Sequence, residues 1–167
     1  MTTEVDIPKL DWFERYKRMI DAGWGALLAD EEFVYRKWGK EGLTEFLQQT
    51  RPKWSGAVAK RLVDKLGLKP DVEGAIKLLG VYSQEVWGFG DPQFSEAKLE
   101  NPTKGTYTNL ACRGWEKSKE HCIETNCEIA CVAEYGGLVS ALSPQFKFTV
   151  TKARPRGDDR CEYTVEM

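Results

Sequence analysis

The cysteines are the residues of this chain whose type and spacing point most directly to chemistry. Cys112, Cys122, Cys127 and Cys131 lie within twenty residues of each other, and Cys161 follows a Gly-Asp-Asp-Arg turn near the C-terminus. On a helix, residues four apart share one face with Cβ atoms about 6 Å apart, so Cys127 and Cys131 are expected to be neighbours. Thiolates are nucleophiles and soft metal ligands. We therefore expect the chemistry of the protein where these two segments meet.

A metal site is one interpretation of this pattern. Cys127, Cys131 and Cys161 are candidate ligands for zinc or iron, with Cys122 or His121 as a fourth ligand. The spacing is not that of a zinc finger, and no CxxC pair occurs. The alternative is that Cys127 and Cys131 are small apolar residues in the core.

Covalent or acid–base catalysis is a third interpretation. Cys127 is expected in the first turn of a helix, where the helix dipole favours a thiolate and lowers the thiol pKa. Cys161 is a second candidate catalytic thiol, and His121 and Glu134 are candidate bases. Glu134 follows Cys131 by three residues, so both are expected on neighbouring positions of one helix face.

The elements that position these residues can also be predicted. Apolar residues recur at steps of three and four over residues 10–28, which is typical of an amphipathic helix. Asp30 is a candidate N-cap for a second helix that breaks at Gly39. Two further helices are expected at residues 54–66, ending at Gly67, and at residues 71–86.

The second part of the chain predicts hairpins and one more helix. Thr125 and Glu128 have the spacing of a capping box, so a helix should begin at Thr125 and end before Pro144, with Gly136-Gly137 as a site of close packing or a kink. Alternating residues predict strands at 94–99, 106–110, 146–150 and 161–165. The fold class is therefore α+β, with an antiparallel sheet packed against helices. We expect one domain over residues 1–167, mainly helical in 1–87, with a hairpin, helices and a hairpin in 88–167.

Composition restricts the partners. Charged residues make up 30% of the chain and nearly balance, with a net charge of −2, so a broad basic face for nucleic acid is not expected. No apolar run reaches the roughly 18 residues that a membrane span requires, and the N-terminus lacks the pattern of a signal peptide. We expect a cytoplasmic protein with reduced thiols, a small-molecule ligand, and no nucleic-acid or membrane partner. A homodimer formed through the helices is compatible with these features.

The C-terminal third resembles a known family. The matching features are Cys112 with Trp115, Cys127 at a helix start, Leu142-Ser143-Pro144, and Gly157-Asp158-Asp159-Arg160-Cys161 before a final strand. This order is similar to the L-2-amino-thiazoline-4-carboxylic acid hydrolase-like family, which is itself similar to 4-vinyl reductase domains. The resemblance implies an antiparallel sheet packed against helices that enclose a small-molecule pocket.

Two function hypotheses follow from the resemblance. The first is a hydrolase-like enzyme that acts on a small heterocyclic or carboxylated substrate in a cysteine-lined pocket. The second is a ligand-binding or sensor domain of the 4-vinyl reductase type. The hydrolase pocket would be lined by Cys112, Trp115, Cys127, Cys131 and Cys161, and the walls of the sensor pocket would be Trp87, Tyr107, Trp115 and Tyr163.

The sensor relatives also bind zinc, through a cysteine at the helix start, a glutamate and a cysteine on the next strand, and the cysteine after the turn. Cys127 and Cys161 match the first and last of these ligands. Val150 and Ala153 stand at the middle positions. The resemblance therefore implies only half of that zinc site.

Overall fold

The described part of the chain folds into four helices and a four-stranded antiparallel sheet, which confirms the α+β prediction. A computed structural model describes residues 11–87 and 95–167, without the side chains of 13–15 and 85–87. In chain order the elements are α1 (Trp12–Leu66), α2 (Val72–Trp87), β1 (Ser95–Asn101), β2 (Lys104–Asn109), α3 (Arg113–Glu120), α4 (Cys127–Leu142), β3 (Lys147–Lys152) and β4 (Cys161–Glu166). Short 3₁₀ turns at Glu124–Asn126 and Arg154–Arg156 precede α4 and β4.

The first three predicted helices together correspond to α1, which consists of two helical stretches that meet at a kink. Helix α1 runs for 55 residues and is interrupted only by a kink at Gly39, whose φ of 70° and ψ of −168° favour glycine. The predicted break at Gly39 is therefore present, but the prediction that Asp30 caps a new helix is wrong because Asp30 lies inside α1. Gly67 follows the end of α1 with a φ of 60°, as predicted. None of the described helices has an apolar stretch long enough to cross a membrane.

Helices α1 and α4 pack tightly against each other. A Cβ atom on Gly137 would lie 2.6 Å from both Pro52 Cα and Ser55 Oγ, so the two backbones can approach only because this position is glycine. Close packing or a kink was predicted at Gly136-Gly137, and the close packing is found at Gly137, whereas Gly136 has room for a methyl group. Leu43, Leu47 and Leu62 of α1 are fully or almost fully buried and form part of the core.

The sheet has the strand order β1-β2-β4-β3. In the central strand β4, Tyr163 pairs with Tyr107 of β2 on one side and with Val150 of β3 on the other. Cys161, Tyr163 and Val165 are buried on one face of β4, as their alternation predicts. Helices α2 and α4 pack against this sheet.

The start of α4 differs from the predicted capping box. The 3₁₀ turn precedes the helix, and the helix begins at Cys127 with Asn126 in the N-cap position. The Thr125 hydroxyl donates to Asn126 Oδ1 at 3.2 Å, and no side chain caps the helix. The predicted cap is therefore wrong, although Cys127 does lie in the first turn.

Candidate functional site

A cavity lies between α1, α3 and α4, and we call it the interhelical cavity. The centre of a water molecule can occupy a volume of about 50 Å³ inside this cavity. A single bound water requires roughly 10–15 Å³ of volume measured in this way. Helix α1 contributes Trp24, Leu28, Glu31 and Arg51, and the end of β2 contributes Asn109. The remaining walls come from α3, the segment after it, and α4.

Three charged side chains on the wall form a buried charge cluster, made of Glu31, Arg51 and Glu134. Arg51 Nη1 donates to Glu134 Oε2 at 2.5 Å, and Arg51 Nη2 donates to Glu31 Oε1. Their side chains are between 4% and 7% exposed. Tyr82 Oη also donates to Glu134 Oε1, at 2.5 Å.

The environment shifts the ionisation of this cluster. Burial raises the pKa of Glu31 above its ordinary value, and the charge of Arg51 only partly offsets that effect. Burial alone would lower the pKa of Arg51, but the two carboxylates raise it overall. Burial and the charge of Glu134 raise the pKa of Tyr82, so this phenol stays protonated and acts as a donor. When both glutamates are ionised, the cluster carries one excess negative charge.

Three thiols face the same cavity. Cys112, Cys127 and Cys131 all contribute to its wall. Cys127 and Cys131 also line a narrow crevice on the sheet side of α4, together with Cys161 and Tyr163, and this crevice has no room for the centre of a water molecule. Cys127 and Cys161 thus line the same crevice. The wall of the interhelical cavity contains Cys112 and does not contain Cys161.

The two thiols of α4 have opposite pKa shifts. The interaction with the neighbouring Cys131 thiol, together with burial, raises the pKa of Cys127. The same interaction lowers the pKa of Cys131, although burial opposes the shift. The expectation that the helix dipole lowers the pKa of Cys127 is therefore wrong, and Cys131 is the thiol that ionises more easily. Burial raises the pKa of Cys112 and of Cys161.

The other predicted site residues lie elsewhere. His121 ends α3, and its Nδ1 lies 2.6 Å from Glu32 Oε2; it does not line the interhelical cavity. Trp115 lies under Lys119, whose Nζ is 5.4 Å from the ring centroid, and it is not on the cavity wall either. Tyr107 stacks on Tyr163 in the core at 6.4 Å between ring centroids. The side chain of Trp87 lies outside the described residues.

The residues present do not fit the zinc site that the resemblance implies. Val150 and Ala153 line the narrow crevice at the positions of the missing ligands, and their side chains offer no donor atom. Among the residues that the structure describes, no group of three or more Cys, His, Asp or Glu side chains is arranged to hold a metal. The predicted set of Cys127, Cys131 and Cys161 is therefore not assembled as a metal centre.

Glu31 and Arg51 were not predicted as site residues, although the sequence carried a signal for them. Leu43, Leu47, Arg51, Ser55 and Ala59 follow one another at steps of four and are all buried. A charged residue in an apolar stripe of this kind must have a buried partner, because an unpaired buried charge is very costly. No spacing in the sequence identifies that partner as Glu134.

Two buried asparagine side chains on the cavity wall each have an unsatisfied polar atom. Asn109 Oδ1 and Asn126 Nδ2 are buried and have no hydrogen-bond partner among the described residues. Both residues line the interhelical cavity. Buried polar atoms are normally satisfied, so these two atoms are available to hydrogen-bond water or a ligand in the cavity.

Comparisons with known proteins leave the family open. No protein-family model matches the chain, and no curated protein matches it significantly either.

Proposed function

We propose that the protein is a small-molecule hydrolase whose nucleophile is Cys131 and whose substrate occupies the interhelical cavity. One observation carries this proposal: Cys127 and Cys131 share a cavity wall with the buried charge cluster, and the pKa of Cys131 is lowered beside Cys127. A nucleophilic cysteine needs a thiolate, and the neighbouring Cys127 thiol favours that form of Cys131. The resemblance to thiazoline hydrolases points to the same class of reaction.

The proposed reaction uses the two thiols in turn. The Cys131 thiolate forms a bond to an electrophilic carbon of the substrate, and the bond from that carbon to its leaving nitrogen breaks. The nitrogen takes the proton of the Cys127 thiol. A water molecule then attacks the thioester-like carbon, releases Cys131 as a thiolate and returns a proton to Cys127.

Glu134 is not assigned the role of base in this scheme. Its carboxylate accepts hydrogen bonds from both Arg51 and Tyr82, so it holds the wall of the cavity in place. His121 is given no step, because it pairs with Glu32 and does not line the cavity.

Alkylation with iodoacetamide tests the assignment of the nucleophile. Mass spectrometry of digested protein should show Cys131 reacting at least tenfold faster than Cys122 at pH 7. Cys122 is an exposed free thiol and serves as the internal reference. A C131S variant should lose the fast phase, and a C112S variant should keep it. If Cys122 labels fastest and Cys131 is slow, the proposed nucleophile is wrong.

A ligand-binding domain without catalysis is the second candidate. The observation that favours it is the pair of unsatisfied amide atoms on Asn109 and Asn126, which a ligand satisfies without any reaction. A ligand that copurifies with the protein unchanged, combined with slow alkylation of Cys131, would support this candidate over the hydrolase.

A further inference from the structure

We infer that the interhelical cavity selects a compact organic cation that carries N–H donors and no anionic group. This inference rests on the proposed function for its location, because the same cavity is the proposed substrate site. It adds the charge and hydrogen-bonding character of the ligand, and it excludes the carboxylated substrates allowed by the sequence.

The first argument for a cationic ligand is the charge of the cavity wall. Glu31 and Glu134 flank a single guanidinium, that of Arg51, and all three side chains are almost completely buried. When both glutamates are ionised, the positive charge of Arg51 is matched by one of them and one negative charge remains. A carboxylate or phosphate entering the cavity would add to this negative charge in a region of low dielectric, where repulsion is strong. Ionised Cys131 would add one more negative charge to the wall.

The second argument, for a ligand with N–H donors, comes from Asn109. Its Nδ2 donates to Tyr135 Oη at 3.4 Å, which leaves Oδ1 as an acceptor without a partner among the described residues. The residue is 0% exposed and lines the cavity. An N–H group on the ligand satisfies this oxygen, and a carboxylate oxygen does not. Asn126 Nδ2 is a donor, and an uncharged oxygen suffices as its acceptor.

The third argument, for a compact ligand, comes from the size of the cavity. Space of about 50 Å³ for atom centres accommodates a ligand of only a few heavy atoms. The apolar side chains of Trp24 and Leu28 form part of the same wall. A compact cation with a small apolar end matches both the volume and this mixture of surfaces.

Three nearly isosteric probes test the inference: acetamidinium, acetamide and acetate, which differ mainly in charge. Titration followed by NMR should show saturable binding of acetamidinium at least tenfold tighter than that of acetate. In an E31Q variant the affinity for acetamidinium should fall at least tenfold, whereas the affinity for acetamide should stay within about twofold.

Glu32 provides the matched control for charge. It is the next residue, and it pairs with Arg36 and His121 and does not line the cavity. An E32Q variant makes the same change in net charge and should keep the wild-type affinity for acetamidinium. The inference is overturned if acetate binds most tightly, or if E31Q and E32Q weaken acetamidinium equally.

The same experiments separate this inference from the proposed function. If Cys131 labels rapidly but acetamidinium neither binds nor protects it from iodoacetamide, the ligand class is wrong and the nucleophile stands. If acetamidinium binds through Glu31 but Cys131 labels slowly, the cation site stands and the hydrolase proposal fails.

Discussion

Arg51 carries a full positive charge into the protein interior, and Glu134 is its partner from another helix. Removing a buried acceptor leaves its donors unsatisfied, at a cost of about 1–3 kcal/mol for each donor. An E134A variant should lose stability of this order in urea unfolding at pH 7, because Arg51 and the Tyr82 hydroxyl both lose an acceptor.

Glu128 supplies the matched control on the same helix. It pairs with Arg156, whose side chain is 48% exposed. Partly exposed pairs of this kind contribute about 0–1 kcal/mol, so an E128A variant should lose no more than that. Equal losses in E134A and E128A would show that the cluster is not buried as described.

Two adjacent glutamates should affect stability with opposite dependence on pH. Burial raises the pKa of Glu31 above 4.5, and the negative charge of Asp30 adds to this shift. The interactions with Arg51 and His121 oppose the shift but do not cancel it. The folded state then binds the proton of Glu31 more tightly than the unfolded state does. The contribution of Glu31 is therefore fully present below pH 4.5 and is lost as pH rises through the folded pKa.

The Glu32 carboxylate behaves in the opposite way. The hydrogen bond from His121 lowers the pKa of Glu32 below 4.5, so its contribution is present above pH 4.5 and is lost as pH falls. Urea unfolding between pH 3 and pH 8 should show wild type losing stability relative to E31Q above pH 4.5. It should lose stability relative to E32Q below pH 4.5. Slopes of the same sign for both variants would contradict these assignments.

At the scale of elements, the contact between α1 and α4 depends on one glycine. In a G137A variant the new methyl group would lie 2.6 Å from Pro52 Cα, which is backbone and cannot move aside. Overpacking of this kind costs about 1–3 kcal/mol. A G136A variant is the control, since its methyl group would meet only Phe148 Cδ1 at 3.7 Å. Alanine is a better helix former than glycine by about 1 kcal/mol, so G136A should be neutral or stabilising in thermal unfolding. The opposite order of stabilities would mean that Gly137 does not set this approach.

The elements were predicted more successfully than their boundaries and contacts. The alternation of Cys161, Tyr163 and Val165 fixes the buried face of β4, because the pleat allows only two faces. Asp30 shows the limit of local patterns, since an N-cap residue is also accepted inside a helix when its neighbours continue the apolar stripe. The pairing of Arg51 with Glu134 joins residues 83 positions apart, and no local periodicity encodes such a contact.

At the scale of the whole molecule, buried side chains connect two parts of the chain. We call residues 11–87 the helical segment and residues 95–167, which contain the sheet, the sheet segment. Arg51 of α1, Tyr82 of α2 and Glu134 of α4 form one hydrogen-bonded network. Tyr82 also contacts Tyr135 edge to face, and Tyr135 contacts Tyr163 of β4 in the same way. Loss of either segment would therefore expose buried charge and aromatic surface in the other.

We therefore predict one cooperative unfolding transition for the whole chain. Far-UV circular dichroism, which follows mainly the helices, and tyrosine absorbance, which follows the rings between α2, α4 and the sheet, should give coincident urea curves. The calorimetric and van't Hoff enthalpies of unfolding should agree. A fragment of residues 1–87 should lack a cooperative transition, because Arg51 and Tyr82 would lose Glu134. Two separate transitions, or a folded fragment, would show that the helical segment is an independent domain.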